Sequence, residues 1–287
     1  GSASCSRNLG IRLAKGEYVV FLDGDDWLDP DALGRIDATL RQYERLDVLL
    51  LSALEWSEGD DGVRVLMRRI SNFGREDEGR VVSGTEAIIL LASRGRRAVN
   101  YSCLNVCRAD FLRENELLQI PGIQQEDTEW VPRVWLAAKR VAVLDYAFYH
   151  YRRRPGSVQT ACSPKLLEGL AVALDSLLQL AERPDLPHRV RAFLNDGQFS
   201  MLYWYLFHPM YRKRFTNEMR RGVLHRLAGT DEARRRFLSA AKRCSFPKRL
   251  AAPLVLFAER TGFFAPARLF FRLLYFPLAH RKKGVKR

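Results

Sequence analysis

Several things are scarce in these 287 residues, and each scarcity excludes something. Cysteine occurs five times, at Cys5, Cys103, Cys107, Cys162 and Cys244. The number is odd and no CxxC pair occurs, so neither a disulfide framework nor a zinc knuckle fits, and reduced packing thiols in a cytosolic setting are expected. Glycine (19) and proline (12) are too few for a collagen-like or low-complexity chain. No apolar run reaches the roughly 18–20 residues that span a bilayer. No internal repeat and no nucleic-acid-binding motif is present, and the aromatics of the basic half cluster with aliphatic residues instead of alternating with basic ones. There is no initiator Met, secretory signal or transit peptide at the start.

What is abundant is charge of one sign in one half. Lys and Arg number 47 against 33 Asp and Glu, a formal net charge of +14. Residues 151–287 carry 28 basic and 9 acidic residues, a net of +19, and residues 1–150 a net of −5. Asymmetry of this kind assigns an anionic partner to the basic half alone. Strand-like patterns also stop near residue 160, which predicts an α/β part over 1–160 and a helical part over 161–287.

In the first part, residues 2–14 have helical periodicity closed by Gly16. Glu17–Leu22 has the β-branched and aromatic content of a buried strand. Asp23-Gly24-Asp25-Asp26 follows at once, and Pro30 opens a helix predicted to run to about Leu46. Strands are predicted at 47–56 and 63–69, a helix at 84–95, an extended segment at 98–107, a helix from Glu126 to about Lys139, and two short strands at 141–144 and 148–152. In the second part, helices are predicted at 165–183, 187–207, 215–227 and 231–244. In a parallel α/β sheet ligands gather at the C-terminal ends of strands, where the acidic loop falls. Converging carboxylates there suit Mg or Mn held against a diphosphate. The same residues also suit the first turn of the next helix, and spacing leaves both readings open.

Three blocks taken together resemble the family 2 glycosyltransferases. The first runs Ser4-x-Ser6-Arg7-Asn8-Leu9-Gly10-Ile11, Ala14-Lys15-Gly16-Glu17-Tyr18 and Phe21-Leu22-Asp23-Gly24-Asp25-Asp26-Trp27, ending at Pro30. The second is Pro121-Gly122-Ile123 with Glu126-Asp127 and Trp130. The third is Tyr149-His150-Tyr151-Arg152 with Pro155-Gly156-Ser157. The resemblance covers roughly residues 1–160. It implies a GT-A (Rossmann-like) nucleotide-sugar-binding sheet and an inverting enzyme. The family's opening strands, which build the nucleobase pocket, have no counterpart here, so a sheet lacking its first strands, in a fragment or a late-starting chain, is expected.

Carried over by residue, the resemblance makes Asp25 the main metal ligand, with Asp23 assisting it or contacting the donor's ribose. Asp127 becomes the general base and Glu126 its neighbour that tunes it or places the acceptor. Arg7 and Asn8 fall where the family approaches the donor nucleotide. Among Arg152, Arg153 and Arg154, a guanidinium closing over the donor diphosphate and a solvated basic turn are equally compatible with the pattern; Arg152 and Arg154 are the candidates. His150 reads either as a metal ligand or as a packed strand residue.

Residues 250–287 place short apolar-aromatic helices beside a basic end, as in interfacial attachment to an anionic membrane or, alternatively, a helical core with a basic tail. The implied function is sugar transfer from a nucleotide-diphosphate donor to a glycan or lipid-linked acceptor in bacterial envelope polysaccharide synthesis, peripheral on the inner face of the cell membrane and without nucleic acid. The alternative is a non-catalytic remnant that binds membranes or anionic polymers.

Overall fold

A computed structural model describes residues 2–59, 62–153, 163–211 and 214–275. The chain divides into two compact units, Gly1–Gly122 with Glu126–Ala161, and Ile123–Gln125 with Cys162–Arg287.

The first unit is built on a mixed seven-stranded sheet. Its strands are β1 (Tyr18–Val19), β2 (Trp27–Leu28), β3 (Val48–Glu58), β4 (Arg64–Ile70), β5 (Val81–Val82), β6 (Asn105–Arg108) and β7 (Val141–Arg153). They lie in the order β1-β6-β3-β7-β2, with β4 on β3 and β5 on β7. Only β3 and β7 run parallel, Val48 opposite Val141; every other pair is antiparallel. The sequence Val-Leu-Leu-Leu-Ser-Ala at the start of β3 is buried at every position, as a strand flanked on both edges and covered on both faces must be. By contrast β4, at the edge, is exposed until Ile70 and carries Arg64, Arg68 and Arg69, which discourage further pairing. Helices α1 (Ala3–Leu13), α2 (Ala32–Leu40), α3 (Gly84–Ser93), α4 (Ala109–Glu114) and α5 (Glu126–Ala137) belong to this unit.

Several boundaries differ from expectation. The strand expected over 17–22 pairs only at Tyr18 and Val19, antiparallel to β6, and α1 ends at Leu13 without using Gly16. Helix α2 stops at Leu40, short of Leu46, because the chain turns through Arg45 at φ +42 and then buries Leu46 in the core. The two strands expected over 141–152 are one continuous strand. Short β2 and α4 carry no periodicity of their own and were not foreseen.

Helix α5 is fixed at several points. The Trp130 indole N–H donates to the Leu117 carbonyl at 2.7 Å, and that of Trp135 to Asn105 Oδ1 at 2.7 Å. Gly84, at the start of α3, lies so close to the Trp135 carbonyl that a Cβ would come within 1.8 Å of its oxygen. Any side chain there would displace α5, and with it Glu126 and Asp127 of its first turn.

In the second unit follow α6 (Pro164–Leu180), α7 (His188–Phe207), α8 (Asn217–Ala228), α9 (Asp231–Lys242), α10 (Phe246–Thr261) and α11 (Ala265–Phe270), with a π-helical turn at Phe271–Tyr275. One apolar core joins these helices, including Leu170 and Leu174 of α6, Phe199 and Tyr203 of α7, Leu224 of α8, Phe237 of α9, Val255 of α10 and Phe271. No helix among the described residues is long and apolar enough to cross a membrane.

Candidate active site

The chain from β1 into β2 bends through Asp23-Gly24-Asp25-Asp26, and β7 holds that bend. Tyr149 lies on the face of β7 that looks into the core, so its hydroxyl reaches under the loop. It donates to Asp26 Oδ2 at 2.5 Å and accepts from the Asp23 N–H at 3.2 Å. The Arg152 N–H donates to Asp26 Oδ1 at 2.8 Å. Both carboxylate oxygens of Asp26 are thus engaged by the protein, and burial raises its pKa above the ordinary aspartate value. Asp26 is a fastener of the loop. Asp23 and Asp25, the members of the Asp-x-Asp pair, are both partly exposed.

Arg7, one turn into α1, joins this loop to the start of α5. Its Nη2 donates to Asp23 Oδ1 at 2.7 Å, while Nη1 donates to Glu126 Oε1 at 2.7 Å and Asp127 Oδ1 at 3.1 Å. Only 11% of the Arg7 side chain is exposed. Burial works against its charge, but the Asp127, Asp23 and Glu126 carboxylates outweigh it and hold the guanidinium firmly protonated. One cation among three carboxylates leaves the cluster net negative, and it keeps Asp23, Glu126 and Asp127 together despite their mutual repulsion. Arg7 is thus a clamp between acids, and it also lines the cleft beside the acidic loop.

Asp127 is held by more than Arg7. The Ser102 hydroxyl donates to Oδ1 at 2.5 Å and the Ser102 N–H to Oδ2 at 3.2 Å. Gln119 Nε2 donates to the Ser102 oxygen at 2.8 Å, so the serine proton is committed to Asp127. Asn8 stands behind this chain, where its Nδ2 donates to the Gln119 carbonyl and its Oδ1 accepts from the Gln119 N–H, both at 2.8 Å. Asn8 is buried and turned inward, and its amide braces the backbone that presents Gln119.

Burial raises the pKa of Asp127, while Arg7 and Ser102 act to lower it. Burial, followed by the charge of Asp127, raises that of Glu126. A carboxyl whose proton affinity is raised by burial has the character a general base needs. Ser102→Ala removes a hydrogen bond that favours the charged form, so the Asp127 pKa is expected to rise further. Carboxyl titration by carbon NMR checks this; an unchanged or lower value would remove Ser102 from the account.

Strand alternation separates the remaining candidates. His150 faces away from Tyr149, stacks on Trp27 with ring centroids 5.0 Å apart, and accepts from Trp56 Nε1 at Nδ1, 2.9 Å. Its Nε2 stands 3.9 Å from Asp29, and burial lowers its pKa. This is the packed-residue reading of His150. Arg152 lies on that same far face, 3.6 Å from Glu58, so its backbone and not its guanidinium serves the acidic loop. Arg153 points to Glu55 at 3.6 Å, and Arg154 lies outside the described residues. Cys103 and Cys107 are buried packing thiols.

Among the described residues no three His, Cys, Asp or Glu side chains converge to hold a metal ion by themselves. The donor set nevertheless fits Mg or Mn of one kind: two hard carboxylates, Asp23 and Asp25, for an ion that takes its other ligands from phosphate oxygens and water. Room for such a ligand exists beside them. A cleft of about 630 Å3 is lined by Ala3, Ser6, Arg7 and Gly10 of α1, by Ala14 just after it, and by Tyr18–Gly24. Sequence reasoning missed Ser102 and Gln119, which lie in no motif, and placed Tyr149 in a motif without its role.

The chain is similar to known glycosyltransferases. Residues 3–97 match the model of glycosyl transferase family 2. An uncharacterized glycosyltransferase, YibD of Escherichia coli (strain K12), is 27% identical over 152 residues, 52% of this chain and 42% of that protein. Poly(ribitol-phosphate) beta-N-acetylglucosaminyltransferase TarS of Staphylococcus aureus (strain MW2) is 24% identical over 158 residues, 54% of this chain and 24% of that protein. These matches span less than half of either relative's length. The crystal structure of S. aureus TarS 1–349 in complex with UDP-GlcNAc superimposes with a TM-score of 0.60 over 98% of this chain and 72% of that one, at 16% identity.

Proposed function

From the premise that this chain belongs to glycosyl transferase family 2 and has its GT-A fold, we propose that it transfers a sugar, with inversion, from a nucleotide-diphosphate donor to a hydroxyl of a growing glycan or lipid-linked acceptor. Envelope polysaccharide synthesis at the inner face of the bacterial cell membrane is the setting. The observation that carries this reading is the Arg7 clamp, which draws Asp23 of the acidic loop and the Glu126–Asp127 pair to one guanidinium.

In a single displacement, the attacking hydroxyl must lose its proton on one side of the sugar while the diphosphate leaves on the other. Asp127 accepts that proton; Arg7 and Ser102 keep it anionic and aimed. Glu126, on the adjacent helical position, orients the acceptor, and the charge of Asp127 beside it helps to raise its own pKa. Asp23 and Asp25 would hold Mg or Mn, which would supply positive charge for the departing diphosphate. The cleft along α1 and Tyr18–Gly24 receives the donor, and Tyr149 keeps the loop at its edge rigid.

UDP-GlcNAc, the donor in the TarS complex, is the probe of choice. Calorimetric titration of the protein is expected to show binding in Mn2+ that weakens in EDTA. Asp25→Asn should weaken the Mn2+-supported binding at least tenfold, roughly the loss of one charged ligand to the ion. Absence of binding by this and other nucleotide sugars would overturn the reading in favour of a non-catalytic remnant.

A further inference from the structure

Helix α10 distributes its side chains in reverse of the usual order. Toward the core of its unit it turns Ala251, Ala252, Val255 and Ala258, all essentially inaccessible. Toward solvent it turns Phe246, Leu250, Pro253 and Phe257, at intervals of four, three and four residues, which form one stripe along the helix. Phe246 is 63% exposed, and Leu250 and Phe257 nearly half. The apolar surface continues past Gly262, which turns the chain at φ +72, into Phe263 and then Leu269 and Leu273, each more than half exposed. Again the inward positions are distinct: Phe264, Ala267 and Phe271 are buried in the core. Scattered exposed apolar residues need no explanation, but a continuous aromatic and aliphatic face across two consecutive helices does.

The charges beside this face have one sign. Arg249, Arg260 and Arg272 are exposed along it, and Arg249 lies 5.9 Å from the ring of Phe246. The single acid between Phe246 and Tyr275 is Glu259, and it is turned inward, 4% exposed, where His225 and Arg234 hold it. The outward surface is therefore apolar and cationic, with no carboxylate of its own from either helix. A second copy of this surface would set arginines against arginines. An anionic lipid surface meets both requirements at once, taking the phenyl and leucyl side chains into its interfacial layer and the arginines at its headgroups.

We propose that the outward face of α10, α11 and the turn after them, centred on Leu250, Phe257, Phe263 and Leu269, is the surface by which this protein docks on an anionic membrane. The inference rests on the membrane setting given above and adds the residues that make the contact. Because its test involves no sugar transfer, failure of either idea can be told from failure of the other.

The test is flotation of the whole protein with vesicles of phosphatidylcholine alone or mixed with phosphatidylglycerol. Binding is expected to the mixed vesicles, to weaken as salt is raised, and to be slight on neutral ones. Leu250→Glu with Phe257→Glu should lower the vesicle-bound to free ratio about tenfold or more. Arg249→Glu with Arg260→Glu should do so on anionic vesicles while leaving apolar contacts in place, and it carries the test if the first variant loses its circular-dichroism melt. Leu33→Glu, an exposed apolar position of the other unit, should change nothing. Equal binding to neutral and anionic vesicles, or full binding by both double variants, would overturn the proposal. So would a concentration-dependent dimer that the Phe257 variant dissolves while the parent protein ignores vesicles.

Discussion

Asp127→Asn is expected to lower sugar transfer roughly a thousandfold, about 4 kcal/mol of transition-state stabilisation, while leaving donor binding close to that of the parent. The substitution keeps the shape of the side chain and its Oδ1, so the Ser102 hydroxyl retains an acceptor. What goes is the ability to take a proton. The amide also brings two N–H groups to a site where Ser102 N–H and the Arg7 guanidinium already donate, so one donor of the three loses its acceptor. Single-turnover transfer with a saturating donor checks the chemical step, and calorimetry checks the ground state. A drop in donor affinity equal to the drop in rate would reassign Asp127 from base to binding residue.

The pH dependence follows from the same geometry. Burial raises the Asp127 pKa, so the proton-accepting form is lost as pH falls through a value above the ordinary 3.8 of aspartate. The acid limb of kcat/KM should therefore lie above that of an exposed carboxylate and disappear in the asparagine variant.

Arg220→Met should have the largest effect on stability. Arg220 is 2% exposed, and the guanidinium donates to three main-chain carbonyls: Leu206 at 2.8 Å, Tyr211 at 3.1 Å, and Phe215. Leu206 lies in the last turn of α7, where carbonyls have no helical donor of their own. The side chain thus closes the end of α7 and the turn that leads to α8. Burial, with a smaller contribution from the charge of Arg268, pulls the guanidinium pKa down to about 10, yet it remains protonated at neutral pH. Methionine fills similar space and donates nothing, leaving three buried acceptors without it. A loss of about 3–5 kcal/mol is expected, read as a lower midpoint of urea unfolding at unchanged slope. Arg220→Lys, with one head for three carbonyls, should recover only part of this. A loss within 0.5 kcal/mol or so, the usual range of a surface substitution, would mean that the carbonyls find other donors.

What the sequence could and could not reveal follows from how far apart the partners are. The acidic loop and the Glu126–Asp127 pair are legible because each is a short run whose chemistry lies in neighbouring residues. Helix α3 is legible as an element, and the structure adds its cap, a reciprocal box of Ser83 and Glu86 within four residues. The convergence on Arg7 is not legible, because nothing within its own helix says that three carboxylates will meet there. Asn8 looks polar and available in the sequence, and only the fold shows both ends of its amide taken by Gln119. Arg152 and Tyr149 exchanged importance through the period of two: the core-facing position holds the loop by its side chain, and the far-facing one does so by its N–H. Ser102 carries no motif at all. Its place is set by a short 3-10 turn at Ser102–Leu104, below the length at which periodicity speaks.

The contacts that make the site join residues 119 to 126 positions apart: Arg7 to Glu126, Tyr149 to Asp26 and to the Asp23 backbone. The β3–β7 pairing beneath them is parallel, so it too must wait for the intervening chain to return. Closing such long loops costs entropy before any contact is gained, which makes these steps slow ones in folding. Local pieces such as α1 and the β3–β4 hairpin can form early, but the chemistry has to arrive late. During synthesis, Asp23, Asp25 and Asp26 leave the ribosome long before Tyr149 exists to fasten them. The polypeptide therefore passes through a stage at which most of the first unit has been made and the acidic loop still lacks its anchor.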